Sequence, residues 1–117
     1  MTQITLYHNP RCSKSRQALA LLQELGIAPA VRLYLQDPLN EKELHHLLKQ
    51  LDIAPRALMR DSDPLYRELN LANADLSDEV LVQQLAANPS LLQRPIAVSD
   101  SQAIVARPPE LVLELLA

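Results

Sequence analysis

Apolar positions along this chain fall into short runs, and their spacing changes character twice. Ile4-Thr5-Leu6-Tyr7 has the length and residue types of a buried strand. Behind it, Leu19 and Leu22, with Ala18, Leu21 and Leu25, recur at three and four residues and predict a helix from Ser13 to about Leu25. Gly26, the only glycine, stands where a helix end calls for a residue with positive φ. Ala30-Val31-Arg32-Leu33-Tyr34 then alternates like a second strand. Strand, helix and strand in this order make a βαβ unit, parallel and right-handed by the crossover rule.

From about residue 38 to 93 the pattern becomes helical, local and leucine-lined. Asn40-Glu41-Lys42-Glu43 reads as a variant capping box ahead of Leu44, Leu47, Leu48 and Leu51 on one helical face. Pro55 and Pro64 cut the next stretch into short pieces around Arg56–Arg60 and Leu65–Leu69. Ser77-Asp78-Glu79 caps a further helix carrying Val80, Leu81 and Leu85, which Pro89 closes or restarts.

Strand character returns at Pro95-Ile96-Ala97-Val98. The connection Ser99-Asp100-Ser101-Gln102 leads into Ala103-Ile104-Val105-Ala106, an antiparallel hairpin. Pro108-Pro109 then opens a last helix with Leu111, Val112, Leu115 and Leu116 as its expected buried face. The fold class that follows is α/β, a four-stranded mixed sheet with a helical insertion at about 38–93, in a single domain spanning 1–117.

Composition narrows the function. At 117 residues the chain can bury roughly two-thirds of its unfolded surface. It is 48% hydrophobic and 21% charged, which is globular rather than disordered. A net charge of −3 argues against nucleic-acid and anionic-membrane partners. No apolar run has the length of a membrane span, and the N-terminal residues lack a signal-peptide pattern, so a cytoplasmic protein is expected. No metal site is expected. His45 and His46 are adjacent and would point about 100° apart on a helix, so they cannot ligate one ion from one face.

The candidate chemistry lies at Cys12, the single cysteine, where the first strand hands over to the first helix. Free N–H groups and the positive end of the helix dipole meet there, and both favour a thiolate. A free cysteine is commonly packed as a small hydrophobe. Here the neighbours His8, Arg11, Lys14 and Arg16 are polar and can carry positive charge, which favours a working thiol. A thiol of ordinary pKa, about 8.5, is only a few per cent ionised at neutral pH. A helix N-terminus contributes roughly 0.3–1 kcal/mol when exposed, so nearby cationic charge has to supply the rest. With no second cysteine on the chain, an oxidised Cys12 must be resolved by an external thiol or a partner protein.

Two arginines bracket the hairpin, Arg94 before its first strand and Arg107 after its second. Because a hairpin reverses the chain, both belong to one end of the sheet. If that first hairpin strand runs antiparallel to Ile4–Tyr7, this end also holds Cys12. Each guanidinium offers a planar fork suited to an oxyanion. The alternative is ordinary ion pairing with nearby acids such as Glu110 or Asp61.

At this point the residues resemble the glutaredoxin-coupled arsenate reductase family over essentially the whole chain. The matching segments are Ile4 through Arg16, Arg56-Ala57-Leu58-Met59-Arg60, Arg94-Pro95-Ile96 and Arg107-Pro108. The resemblance implies a thioredoxin-like core with a helical insertion. It implies Cys12 as the nucleophile, and Arg60, Arg94 and Arg107 as the residues that hold the oxyanion. His8 and Ser15 match positions that help keep the cysteine ionised, and Pro95 matches a cis proline facing the thiol. It further implies no bound cofactor, glutathione as co-substrate, glutaredoxin as partner, and arsenate or another oxyanion as substrate. Ser13-Lys14 after the cysteine and an end at Ala117 look like the compact chromosomal branch of the family.

Two alternatives stay open. One is a glutathione-dependent thiol reductase acting on another substrate. The other is an Spx-type regulator that binds RNA polymerase; its switch needs Cys-x-x-Cys, and the second position here is Ser15.

Overall fold

β1 (Thr5–Tyr7) is an inner strand because it is paired on both sides. The computed structural model describes residues 3–100 and 102–116. In it β2 (Ala30–Arg32) runs parallel to β1, with Leu6 opposite Val31. β3 (Ile96–Val98) runs antiparallel to β1, with Leu6 opposite Ala97, and β4 (Ala103–Val105) closes the hairpin on β3. The order β2-β1-β3-β4 is the mixed four-stranded sheet that the two kinds of connection require. The chain divides into two units, Met1–Asp37 with Arg94–Ala117, which contains this sheet, and Pro38–Gln93.

In the sheet unit, α1 (Ser13–Glu24) covers one face with Ala18 and Leu22, which pack with Ile4, Leu6, Ala97, Ala106, Val112 and Leu115. Leu6 is fully buried. Truncating a core leucine of this kind to alanine costs about 2–5 kcal/mol. The expected helix is present, but Leu25 is not on its buried face; it is 55% exposed. The cause is the helix end. Gly26 takes φ 77°, its N–H donates to the Gln23 carbonyl at 3.0 Å, and the Ile27 N–H donates to the Leu22 carbonyl at 2.9 Å. This Schellman closure turns Leu25 outward and brings Ile27 against the core in its place.

The second strand is shorter than its alternation suggests. It stops at Arg32, with Ala30 and Val31 exposed at the sheet edge, and residues 34–36 turn. The last helix, Pro109–Leu116, is 3₁₀ rather than α. Its buried residues Pro109, Val112 and Leu115 repeat every third position, the period of a 3₁₀ helix. Leu116, expected on that face from α spacing, is 40% exposed, and Leu111 is half-buried.

In the second unit α2 (Glu41–Leu51) carries the expected capping box. Asn40 Oδ1 accepts from the Glu43 N–H at 2.8 Å, and the Asn40 N–H donates to the Glu43 carboxylate at 3.1 Å. Its buried leucines 44, 47 and 48 face α4 (Asp78–Ala87), which Ser77 caps and which buries Leu81, Val82 and Leu85. α3 (Pro64–Glu68) begins on proline and is capped by Asp63. Pro89 restarts the chain as a 3₁₀ turn, Pro89–Leu91. Arg56 is structural: its guanidinium donates to the carbonyls of Leu71, at 3.3 Å, and Asn73, at 2.8 Å. No helix among the described residues is long and apolar enough to cross a membrane.

Candidate active site

Register alone places the site. Tyr7 lies opposite Ile96 and Ile96 opposite Val105, so Arg94 and Arg107, each two residues further on, reach past the C-terminal end of β1. The β1–α1 loop with Cys12 leaves from that same end. Within the sheet unit the expected juxtaposition of thiol and two arginines is therefore present.

Cys12 is half-buried and is the N-cap of α1, with extended φ −94° and ψ 121°. A Ser, Thr, Asp or Asn in this place would accept from the N–H groups of the first turn. Here a sulfur stands in that place; it makes no capping hydrogen bond, but the Ser15 and Lys14 amides still act on it. Burial pushes the Cys12 thiol up, but it is outweighed by the Ser15 amide, by the hydrogen bond and charge of the Arg94 guanidinium, and by the Lys14 amide. The net result is a thiol held below its ordinary pKa.

Arg94 is half-buried, and its Nε is buried without a hydrogen-bond partner among the described residues. Arg107 is exposed, and its Nη1 donates to the Arg94 carbonyl at 3.3 Å, tying the two ends of the hairpin together. Both arginines precede cis prolines: Arg94-Pro95, as the resemblance implied, and Arg107-Pro108, for which the sequence carried no expectation.

The supporting pair behaves differently from a simple cationic cluster. His8 is buried, and its Nδ1 shares a 2.6 Å hydrogen bond with Ser15 Oγ. Burial, and then the charge of Arg16, hold His8 below the ordinary imidazole pKa. Both effects favour the neutral imidazole, which weakens His8 as a source of positive charge for Cys12. Ser15, fully buried, faces the sulfur with its amide while its hydroxyl is engaged by His8 and by the Asn9 N–H at 3.0 Å. Arg16 donates to the Pro10 carbonyl at 2.8 Å, while Arg11 and Lys14 are exposed. Arg60 belongs to the second unit, where its guanidinium meets Asp63 at 3.5 Å and the Ser90 carbonyl at 3.4 Å.

Asn9 was passed over in the sequence. It is buried, and its Oδ1 accepts from the Arg11 N–H at 3.1 Å, an Asx turn. The signal was available, since an asparagine ahead of Pro and three residues before an N-cap is a turn-forming position. Beside this loop lies a cavity of about 210 Å³ lined by His8, Asn9, Pro10, Arg11, Leu33, Leu35 and Gln36, the last three from the chain leaving β2 at the same sheet end.

A parallel βαβ unit joined to an antiparallel hairpin, with a cysteine at the N-cap of the first helix and a cis proline just before the hairpin, is a thioredoxin-like fold. The chain belongs to the ArsC family, whose model matches residues 7–115. It is 46% identical over 114 residues to the arsenate reductase of Haemophilus influenzae, covering 97% of this chain and 98% of that protein. It is 51% identical over 114 residues to protein YfgD of Escherichia coli strain K12, covering 97% and 96%. Among solved structures, the arsenate reductase from Vibrio cholerae superposes with a TM-score of 0.94 at 48% identity, over 97% of each chain.

Proposed function

We propose that this protein reduces arsenate to arsenite in the cytoplasm, with glutathione and glutaredoxin supplying the two electrons. The observation that carries the reading is the Cys12 sulfur at the N-terminus of α1, with the Ser15 and Lys14 amides and the Arg94 guanidinium favouring its thiolate. Membership of the ArsC family and the arsenate reductases among its relatives support arsenate as the oxyanion.

In this reading the Cys12 thiolate attacks arsenic, an As–S bond forms, and one arsenate oxygen leaves as water after taking up two protons. The glutathione thiol displaces a second oxygen, again as water. A glutaredoxin thiolate then attacks the glutathione sulfur and forms a mixed disulfide. The electron pair of the broken S–As bond stays on arsenic, which becomes arsenic(III). Water hydrolyses the remaining As–S bond, releasing arsenite and restoring the Cys12 thiolate.

Arg94 has two tasks: it favours the sulfur anion, and its guanidinium fork offers donors to an arsenate oxygen. Arg107, exposed beside it, meets outer oxygens of the dianion. His8 and Ser15 hold the first turn of α1 toward the sulfur through their shared hydrogen bond. Arg60 enters through the family resemblance, as a third ligand of the oxyanion.

The test is arsenate-dependent NADPH oxidation coupled through glutathione reductase, glutathione and glutaredoxin, with Cys12→Ser as the control. Turnover abolished by that substitution supports the reading. Absence of turnover in a protein whose Cys12 still titrates low moves the site to another substrate of a glutathione-dependent reductase.

A further inference from the structure

Asn9 makes three hydrogen bonds, each to a different part of the cysteine loop. Its carbonyl accepts from the Cys12 N–H at 2.9 Å and closes the turn 9–12. Its Oδ1 accepts from the Arg11 N–H at 3.1 Å and fixes the Pro10–Arg11 peptide, one before that of the cysteine. Its own N–H donates to Ser15 Oγ at 3.0 Å, so it also grips the third residue of α1. That same serine oxygen meets His8, the residue leaving β1. Asn9 and Ser15 are 8% and 0% exposed, so these bonds are shielded from competing water.

The geometry at Cys12 makes this arrangement consequential. An N-cap sulfur is favoured as thiolate by the N–H groups of Lys14 and Ser15 only if its backbone stays extended and the helix axis points at it. Both conditions are set by the turn 9–12 and by the position of Ser15; the main chain of Asn9 holds Cys12 and Ser15, and its side chain locks that turn through Arg11. The cysteine cannot enforce them itself, because its thiol makes no side-chain capping bond.

We propose that Asn9 is a positioning residue for the thiol chemistry, clamping the turn before Cys12 to the first turn of α1 so that the helix amides aim at the sulfur. It does not touch the reacting atoms. The inference rests on the reading of Cys12 as the working nucleophile, and it adds a residue that motif and charge did not single out.

The experiment measures the pH midpoint of iodoacetamide alkylation of Cys12 in the folded protein, alongside thermal melting. Asn9→Ala should move the midpoint upward and slow alkylation at neutral pH by about threefold, since loss of thiolate is partly offset by greater nucleophilicity. Asn9→Ser, whose hydroxyl can accept from the Arg11 N–H in an equivalent turn, should recover part of the shift. If Asn9→Ala does not fold, Asn9→Gln keeps the amide but displaces its oxygen by one methylene, and should show the same upward movement. A lowered melting temperature with an unmoved midpoint in the folded variants would reduce Asn9 to a structural residue and overturn the proposal. The readout uses no arsenate. A failure of arsenate turnover with an intact Asn9 effect therefore refutes the substrate and not the clamp.

Discussion

Arg94→Ala is the sharpest test of the electrostatics, because this side chain acts on Cys12 both as hydrogen-bond donor and as charge. A hydrogen bond to a charged group contributes about 1.5–3 kcal/mol. Cys12 and Arg94 are each only half-buried, and solvent screening places the expected loss at the lower end, about 1.5 kcal/mol. About 1.4 kcal/mol is one tenfold step, so the variant should hold roughly a tenth of the parent's thiolate at any pH below both midpoints. The alkylation rate there should fall less, about three- to fourfold, because a more basic thiolate is a better nucleophile. The midpoint of the pH–rate curve reports the full change. Cys12 is the only cysteine, so no other sulfur contributes to the signal. Arg94→Lys retains charge but loses the planar fork, and should fall between the two. Superimposable pH–rate curves for parent and Arg94→Ala would refute the argument.

Two further outcomes follow from the backbone and the buried groups. Because the folded Cys12 pKa lies below its ordinary value, its ionisation adds stability that is full above that ordinary value and is lost as pH falls through the folded one. His8, lowered from 6.5, gives stability that is full above pH 6.5 and is lost as pH falls below it, since the unfolded chain takes up the proton first. Urea unfolding from pH 5 to 9.5 should show both slopes, and Cys12→Ser should lose only the upper one; an unchanged upper slope would contradict the assignment. Gly26→Ala should destabilise by about 1 kcal/mol through its positive φ alone, as an added Cβ meets nothing within 4 Å. An unchanged melting temperature would contradict that.

Local features were the legible ones. The Asn40 capping box, the Ser77 cap, the glycine at 26 and the antiparallel pairing of β3 with β4 each depend on residues within a few positions of one another, and each is present; Ser101 of the hairpin connection lies outside the described residues. Cys12 at the helix start belongs to this group, and the convergence of Arg94 and Arg107 followed from hairpin reversal. What misled was periodicity at element ends. Leu25 and Leu116 fit α spacing, yet a Schellman closure and a 3₁₀ pitch turned them to solvent. Asn9 and the bias of His8 toward its neutral form were hidden for another reason. Their character depends on burial and on partners six or seven residues away, and composition near a cysteine does not report burial.

The sheet order carries a consequence for the newly made chain. β1 pairs on one side with a strand 25 residues later, but on the other with β3, which begins at Ile96. The residues of β1, Cys12, α1 and β2 are thus all made long before Arg94 has been synthesised. Closing so distant a contact is entropically slow compared with local pairing. During that interval the sulfur lacks its guanidinium partner. Arg94 can act on the thiol only once the C-terminal hairpin has docked on β1.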